Sequence, residues 1–233
     1  MSIMIGEFMY KISIIIPCYN EEENIEKCIM KIPNLLFNYE IIVVDDGSSD
    51  KTLSIAKKIK RNNINVIGYK KNRGKGFAIK YAIEHCKGEI AIILDADMAT
   101  PPEEIEEILK PILENKADFV NGSRMVYSME RGAMKGAHIL GNKIFAIFLS
   151  FLIRKRITDS LCGFKAFRIE NFKGILKENT WPDFELLLKA KRMNMRIIEV
   201  PIHYKKRIAG KSKMKTFRHA YKMSKILFKN ILS

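Results

Sequence analysis

The sequence predicts an α/β protein with a mostly parallel central sheet and helices on both faces. Two observations carry the prediction. Short β-branched runs recur along the first half of the chain, and each is followed by a polar turn and a segment with helical spacing. Strands alternating with helices of roughly 10–15 residues make βαβ units, and a strand with no polar side is covered on both faces. With 233 residues the chain is long enough for one such domain with a substantial core.

The elements follow in order. Met1 to Tyr10 is apolar without a clear period. Lys11 to Ile16 is a β-branched run closed by Pro17, and Pro17-Cys-Tyr-Asn20 makes the turn. Glu21-Glu-Glu-Asn24 opens a helix with carboxylates at its positive end. Glu40 to Val44 is the second strand, Asp45 to Asp50 a turn and cap, and Lys51 to Arg61 a helix. Asn65 to Tyr69 is the third strand, Asn72 to Gly76 a turn, and Phe77 to Cys86 a helix. Ile90-Ala-Ile-Ile-Leu94 is the fourth strand and stops abruptly at Asp95-Ala-Asp97. Beyond it, Pro102 to Leu113 reads as a helix, and Asp118 to Val120 leads into Gly122-Ser-Arg124. Met125 to Gly136 is polar and aperiodic, and Ile139 to Ile153 is a helix apolar enough for either a core or a membrane interface. Trp181 to about Met193 is a further helix, with Asp183 and Glu185 near its start. Arg196 to Pro201 is a further strand, followed by the cationic loop Lys205 to Lys213. From Lys215 to Leu232 an apolar stripe is interleaved with cations, as in an amphipathic helix.

Composition narrows the functional classes. Lys and Arg number 41 against 26 Asp and Glu, a net charge of +15 that favours a polyanionic partner. The cations cluster in the last third of the chain, and an acidic Asp95/Asp97 site would repel phosphates without a metal, so a nucleic-acid-binding protein is disfavoured. The four cysteines, Cys18, Cys28, Cys86 and Cys162, lack metal-type spacing and follow no secretory signal, which predicts free thiols in a reducing compartment. No run reaches the ~20 apolar residues of a membrane span, so none is predicted.

In open parallel sheets ligands collect at the carboxyl ends of the strands. Pro17 to Glu21, Asp45-Asp46, Asn72 to Gly76 and Asp95 to Asp97 are therefore expected along one rim. Two carboxylates at i and i+2, separated by a small Ala96, can face one hard cation, and Mg²⁺ prefers one or two carboxylates completed by phosphates and water. That donor set suits a diphosphate-bearing substrate. A nucleotidyltransferase would carry a glycine-rich phosphate loop after the first strand, where Pro17-Cys-Tyr-Asn20 stands instead.

Ile14-Ile-Ile-Pro-Cys-Tyr-Asn-Glu21, Val43 to Asp50, Asn72 to Gly76, Asp95 to Asp97 and Gly122 to Arg124 together resemble a family-2 glycosyltransferase of the Rossmann-like glycosyltransferase A fold. Asp159 to Arg168 and Arg207 to Lys213 narrow the resemblance to the dolichyl-phosphate mannose and glucose synthase branch. It implies one catalytic domain over 1–213, with a nucleotide-binding half (about 11–124) and an acceptor half (125–213), and a basic amphipathic C-terminal helix at 214–233.

By that resemblance, Pro17, Tyr19, Glu21, Val44 and Asp46 hold the base and ribose of a nucleoside diphosphate sugar. Asp95, Ala96 and Asp97 form the metal and diphosphate motif, with Mg²⁺ or Mn²⁺ on the two carboxylates. Arg124 stands near sugar and phosphate, Asp97 and Arg124 being the catalytic candidates, while Arg207 and Lys213 belong to a basic loop over the acceptor phosphate. The implied acceptor is dolichyl or another polyprenyl phosphate, reached by a peripheral enzyme on the cytoplasmic face of a membrane; a family-2 enzyme acting on a non-lipid glycan is the alternative. A phosphate acceptor needs no strong general base, so His85, His138, His203 and His219 are read as structural or surface residues. Mannosyl-type members often carry Gln or Ser where Ala99 stands, and Ala99-Thr100 resembles the glucosyl type, which favours a UDP-sugar donor over GDP-mannose. Asp97→Asn is expected to abolish most turnover even at saturating metal, and turnover within a few-fold of the unsubstituted enzyme rules the metal-diphosphate role out.

Overall fold

A computed structural model describes residues 11–177, 179 and 182–207. The first half contains β1 (Ile12–Cys18), α1 (Ile25–Met30), β2 (Tyr39–Asp45), α2 (Thr52–Lys58), β3 (Ile64–Gly68), α3 (Lys75–His85) and β4 (Ile90–Ile93). The second contains α4 (Ile105–Leu113), β5 (Phe119–Ser123), α5 (Gly136–Ile153), β6 (Lys165–Arg168), α6 (Pro182–Arg192) and β7 (Ile197–Pro201). The strands form one seven-stranded sheet ordered β3-β2-β1-β4-β6-β5-β7. β6 is antiparallel to both its neighbours, and the remaining pairings are parallel.

The apolar runs form the middle of this sheet because burial on both faces suits them. Every residue of β1 and β4 is buried. Ile14 and Ile16 pack with α1 and α4, while Ile15 and Ile93 pack with α3 on the opposite face. Each such isoleucine contributes about 1.5–3 kcal/mol. β3, at the sheet edge, is only half buried. All four cysteines are free and buried; burial raises their thiol pKa, to about 12 for Cys86 and Cys162.

Three features depart from the sequence reading. The helix expected from Glu21 starts at Ile25, because Glu21 accepts from Asn24 Nδ2 (2.7 Å) and Glu22 accepts from Lys51 N (3.0 Å), fastening this segment to the neighbouring loop. β6 lies within a stretch for which no strand was expected; it is four residues long with a cation at each end. α5 begins at Gly136 and reaches 18 residues with a mean hydropathy of 1.6. That is long and apolar enough to cross a membrane, yet Asn142, Ala146, Leu149 and Ile153 are buried against the domain. The opposite face is open: Leu140, Ile144, Ile147, Phe148 and Phe151 are exposed, Phe151 to 82%. Lys213 and the expected C-terminal helix lie outside the described residues.

The β5–β7 pair is closed at its start by Asp118, which receives Arg196 Nε at 3.0 Å and Nη2 at 2.9 Å. Hydrogen bonding from Arg196 holds the Asp118 carboxyl at about 2, below its ordinary 3.8. The folded state therefore binds this proton less readily than the unfolded chain. Its stabilisation is complete above about pH 4 and is lost as pH falls toward 2. Urea unfolding of Asp118→Asn should show a shallower fall in stability over that window than the unsubstituted protein.

Candidate active site

The carboxyl ends of β1, β2 and β4 meet at one rim, where the turns bind one another. Asn20 N donates to Ser48 Oγ (2.9 Å), Ser49 N to Asn20 Oδ1 (2.8 Å) and Glu21 N to Thr52 Oγ1 (2.8 Å). Asp46 gathers the turn before α3: Oδ1 accepts from Tyr69 Oη (2.9 Å) and Arg73 N (2.7 Å), and Oδ2 from Asn72 Nδ2 (3.0 Å) and Gly74 N (2.9 Å). The rim opens into a cavity of about 670 Å³. Pro17, Tyr19, Glu21, Asp46, Asp95, Ala96, Asp97, Arg124 and Arg207 all line it. Val44 does not join them. Side chains alternate along a strand, and Val44 is fully buried in the core shared with α3.

At the centre stand the two carboxylates that end β4. Asp95 Oδ1 lies 2.6 Å from Lys75 Nζ, the first residue of α3, and Asp97 Oδ2 lies 2.8 Å from Arg207 Nη2, beyond β7. Asp97 Oδ1 also accepts from Ala99 N at 3.0 Å, across a left-handed Met98 (φ 62°). Burial pushes both carboxyls up. At Asp95 burial is outweighed by the Lys75 ammonium together with Arg207 and Arg124, which hold the group below its ordinary value, whereas at Asp97 the Asp95 charge adds to burial and the group stays above it. The Asp95 charge acts on Asp97, so a further cation between the two would favour both being ionised. Among the described residues no three His, Cys, Asp or Glu side chains cluster as a metal cage. Two hard carboxylates fit Mg²⁺ or Mn²⁺, which take the rest of their shell from phosphate oxygens and water.

Several residues of the site were not assigned in the sequence. Lys75 also approaches Asp183 Oδ2, at 3.7 Å. Asp183 is 5% exposed, its Oδ1 is sealed without a hydrogen-bond partner, and burial raises its carboxyl. Gly163 presses on the same pair: a Cβ there would overlap Asp95 Oδ2 and come within 2.6 Å of Lys75 Nζ. The signal for both lay in the Asn72–Gly76 and Asp159–Arg168 segments, which carried motif resemblance without individual roles. His138 lines the cavity too, its imidazole pulled down by burial and by Lys135.

Arg124 is held from below. Its Nε and Nη2 donate to the two carboxylate oxygens of Asp159 at 2.6 and 2.8 Å, and its backbone N donates to Oδ2 at 3.1 Å. Its guanidinium stacks over Tyr204 at 5.0 Å. Burial opposes both charges, but the pair outweighs it: Asp159 is held below and Arg124 above their ordinary values.

The sequence model described as Glycosyl transferase family 2 matches residues 13–181, which include the rim turns, the carboxylate pair and Arg124. The chain belongs to this family. Among curated relatives, this family-2 glycosyltransferase is 33% identical to a dolichyl-phosphate beta-glucosyltransferase of Dictyostelium discoideum, over 92% of the chain and 72% of the relative. It is 32% identical to a dolichol-phosphate mannosyltransferase of Pyrococcus furiosus, over 92% of the chain and 64% of the relative. The chain thus spans about two thirds of their length. Among solved structures, glucosyl-3-phosphoglycerate synthase from Mycobacterium tuberculosis in complex with Mn²⁺, UDP and glucosyl-3-phosphoglycerate superposes with a TM-score of 0.70 at 20% identity, over 96% of this chain and 79% of that one. It shares the fold, that of the glycosyltransferase A class.

The contact at Gly163 can be tested directly. Gly163→Ala should displace the Asp95–Lys75 pair and weaken Mn²⁺ binding by about tenfold, the scale of overpacking strain, in a titration followed by electron paramagnetic resonance; unchanged affinity would mean the pair can shift freely.

Proposed function

We propose that this chain is an inverting, metal-dependent hexosyltransferase. It moves a hexose from a nucleoside diphosphate sugar, a UDP-sugar ahead of GDP-mannose, to dolichyl or another polyprenyl phosphate, making a β-linked lipid-phosphate sugar. The observation that carries the reading is one cavity lined by two carboxylates, Asp95 and Asp97, and by the cations Lys75, Arg124 and Arg207, with Lys75 paired to Asp95 and Arg207 to Asp97. The carboxylates suit a metal-bridged diphosphate, and Arg124, which is paired outside that carboxylate pair with Asp159, suits an anionic acceptor. The relatives named for dolichyl phosphate and glucose or mannose support the acceptor and leave both donor classes in play. Mn²⁺ beside UDP in a protein of the same fold agrees with the metal.

A bound divalent ion would neutralise charge on the departing diphosphate. Lys75, already beside Asp95, supplies fixed positive charge at the same place. Pro17, Tyr19, Glu21 and Asp46 border the part of the cavity where base and ribose bind. Arg124, fixed by Asp159, orients the acceptor phosphate, and Arg207, beside Asp97, adds positive charge to the same cavity. The phosphate oxygen is anionic near neutral pH, so no side chain has to remove a proton. Its attack on the face opposite the leaving group inverts the anomeric carbon. The exposed apolar face of α5, followed by Arg154-Lys-Arg156, suits a peripheral seat on the anionic cytoplasmic face of a membrane.

Incubation with polyprenyl phosphate, Mg²⁺ or Mn²⁺ and a panel of radiolabelled UDP- and GDP-sugars is expected to yield a labelled glycolipid with one donor class. Label transferred only to a soluble acceptor would overturn the lipid assignment.

A further inference from the structure

α5 presents an exposed apolar face outward and a polar residue inward. Asn142 is 2% exposed in a helix otherwise built from apolar side chains on its buried side. A buried amide costs roughly 1–3 kcal/mol when its groups are unpaired, and here both ends are paired. Nδ2 donates to Asp159 Oδ1 at 2.9 Å, while Oδ1 accepts from Ser160 N at 2.9 Å and Ser160 Oγ at 2.6 Å. The backbone N–H of Ser160 can only donate, so the amide has one orientation, with its NH₂ toward the carboxylate.

That carboxylate is the one that grips Arg124. Asp159 Oδ1 receives Asn142 Nδ2 at 2.9 Å, Arg124 Nη2 at 2.8 Å and Leu161 N at 3.1 Å, while Oδ2 takes Arg124 Nε at 2.6 Å. Glu199 of β7 steadies the same segment from the other side, accepting from Thr158 N at 2.7 Å and Asp159 N at 3.2 Å. Two elements, α5 through Asn142 and the end of β5 through Arg124, thus converge on one fully buried carboxylate while β7 holds the backbone beside it, and its plane sets the plane of the guanidinium through two parallel hydrogen bonds. Rotating Asp159 would swing Arg124 within the cavity.

We propose that Asn142 is a positioning residue: acting through Asp159, it sets the direction in which Arg124 presents its guanidinium to the acceptor phosphate, and so ties α5 to acceptor binding. The inference rests on Arg124 being a phosphate ligand. It assigns no part to Asn142 in donor binding, because Asn142 holds Asp159 and Ser160 whereas the carboxylate pair is held by Lys75 and Arg207.

The experiment compares Asn142→Asp, which replaces the NH₂ donor by an oxygen at nearly constant volume, with Ser160→Ala, which removes only the hydroxyl bonded to Asn142 Oδ1. Asn142→Asp should raise KM for polyprenyl phosphate by about tenfold, the scale of one hydrogen bond to a charged group. Calorimetric affinity for Mn²⁺ with UDP should stay within about twofold, since Asn142 bonds to Asp159 and Ser160 and the carboxylates keep their own partners, Lys75 and Arg207. Ser160→Ala should move acceptor KM in the same direction by a smaller factor and serves where Asn142→Asp does not fold. The Arg124 Nε–H resonance, identified by its loss in Arg124→Lys, should shift and exchange faster with water in both variants. A folded Asn142→Asp protein with unchanged acceptor KM and Arg124 resonance would overturn the proposal, as would equal losses of donor and acceptor affinity. If the unsubstituted enzyme makes no lipid-linked product, the functional reading fails, and the Arg124 resonance alone decides whether Asn142 positions that side chain.

Discussion

Two carboxylates at the end of a fully buried strand govern how this molecule is assembled. Asp95 and Asp97 are interacting like charges, Asp97 buried and Asp95 partly so, and unpaired buried charge is among the most destabilising features a fold can contain. Their counter-charges arrive from distant parts of the chain, Lys75 from the start of α3 and Arg207 from beyond β7. Both segments must therefore reach the same rim, and Gly163 allows a third to pass against the Asp95–Lys75 pair. What draws them together also makes the pocket, so stability and chemistry share one electrostatic requirement.

The reversed strand β6 solves a related problem. In a wholly parallel sheet the segment before a strand lies at the opposite edge from the ligand rim. Because β6 runs antiparallel between β4 and β5, the residues leading into it, Asp159 to Gly163, emerge at that rim instead. Behind them lies a continuous buried polar network. Asn121 donates to Glu199 Oε1 (2.9 Å) and to the Asp159 carbonyl (2.8 Å), and it accepts from the fully buried Lys165, whose ammonium burial pulls down. A network this deep stabilises only when its members are paired, and its paired members fix β5, β6 and β7 in register with Arg124.

Much of this was readable in the residues, because the strongest signals were local. The β-branched runs ending in Pro17, Asp45 and Asp95 marked strands and the rim at once, and the turn chemistry of Asp45 to Asp50 and Asn72 to Gly76 marked what joins them. Features that depend on long-range pairing were not readable. β6 has too few residues and too many charges to look like a strand until its neighbours bury it. Val44 was placed in the site by the family resemblance, whereas the alternation of side chains turns it into the core. Lys75 has a partner twenty residues away and Asn142 one seventeen residues away; neither separation corresponds to a local motif. Asn142 did leave a trace, as a polar break in an apolar run.

The thiols have a practical consequence. Cys18, Cys28, Cys86 and Cys162 are all buried, and burial raises each of them away from the reactive thiolate. The native protein thus presents no exposed cysteine thiol to alkylating reagents. A cysteine introduced at an exposed position such as Phe151 would stand chemically alone, so one spin label or fluorophore on the outer face of α5 would report from that address only, with every native cysteine left in place.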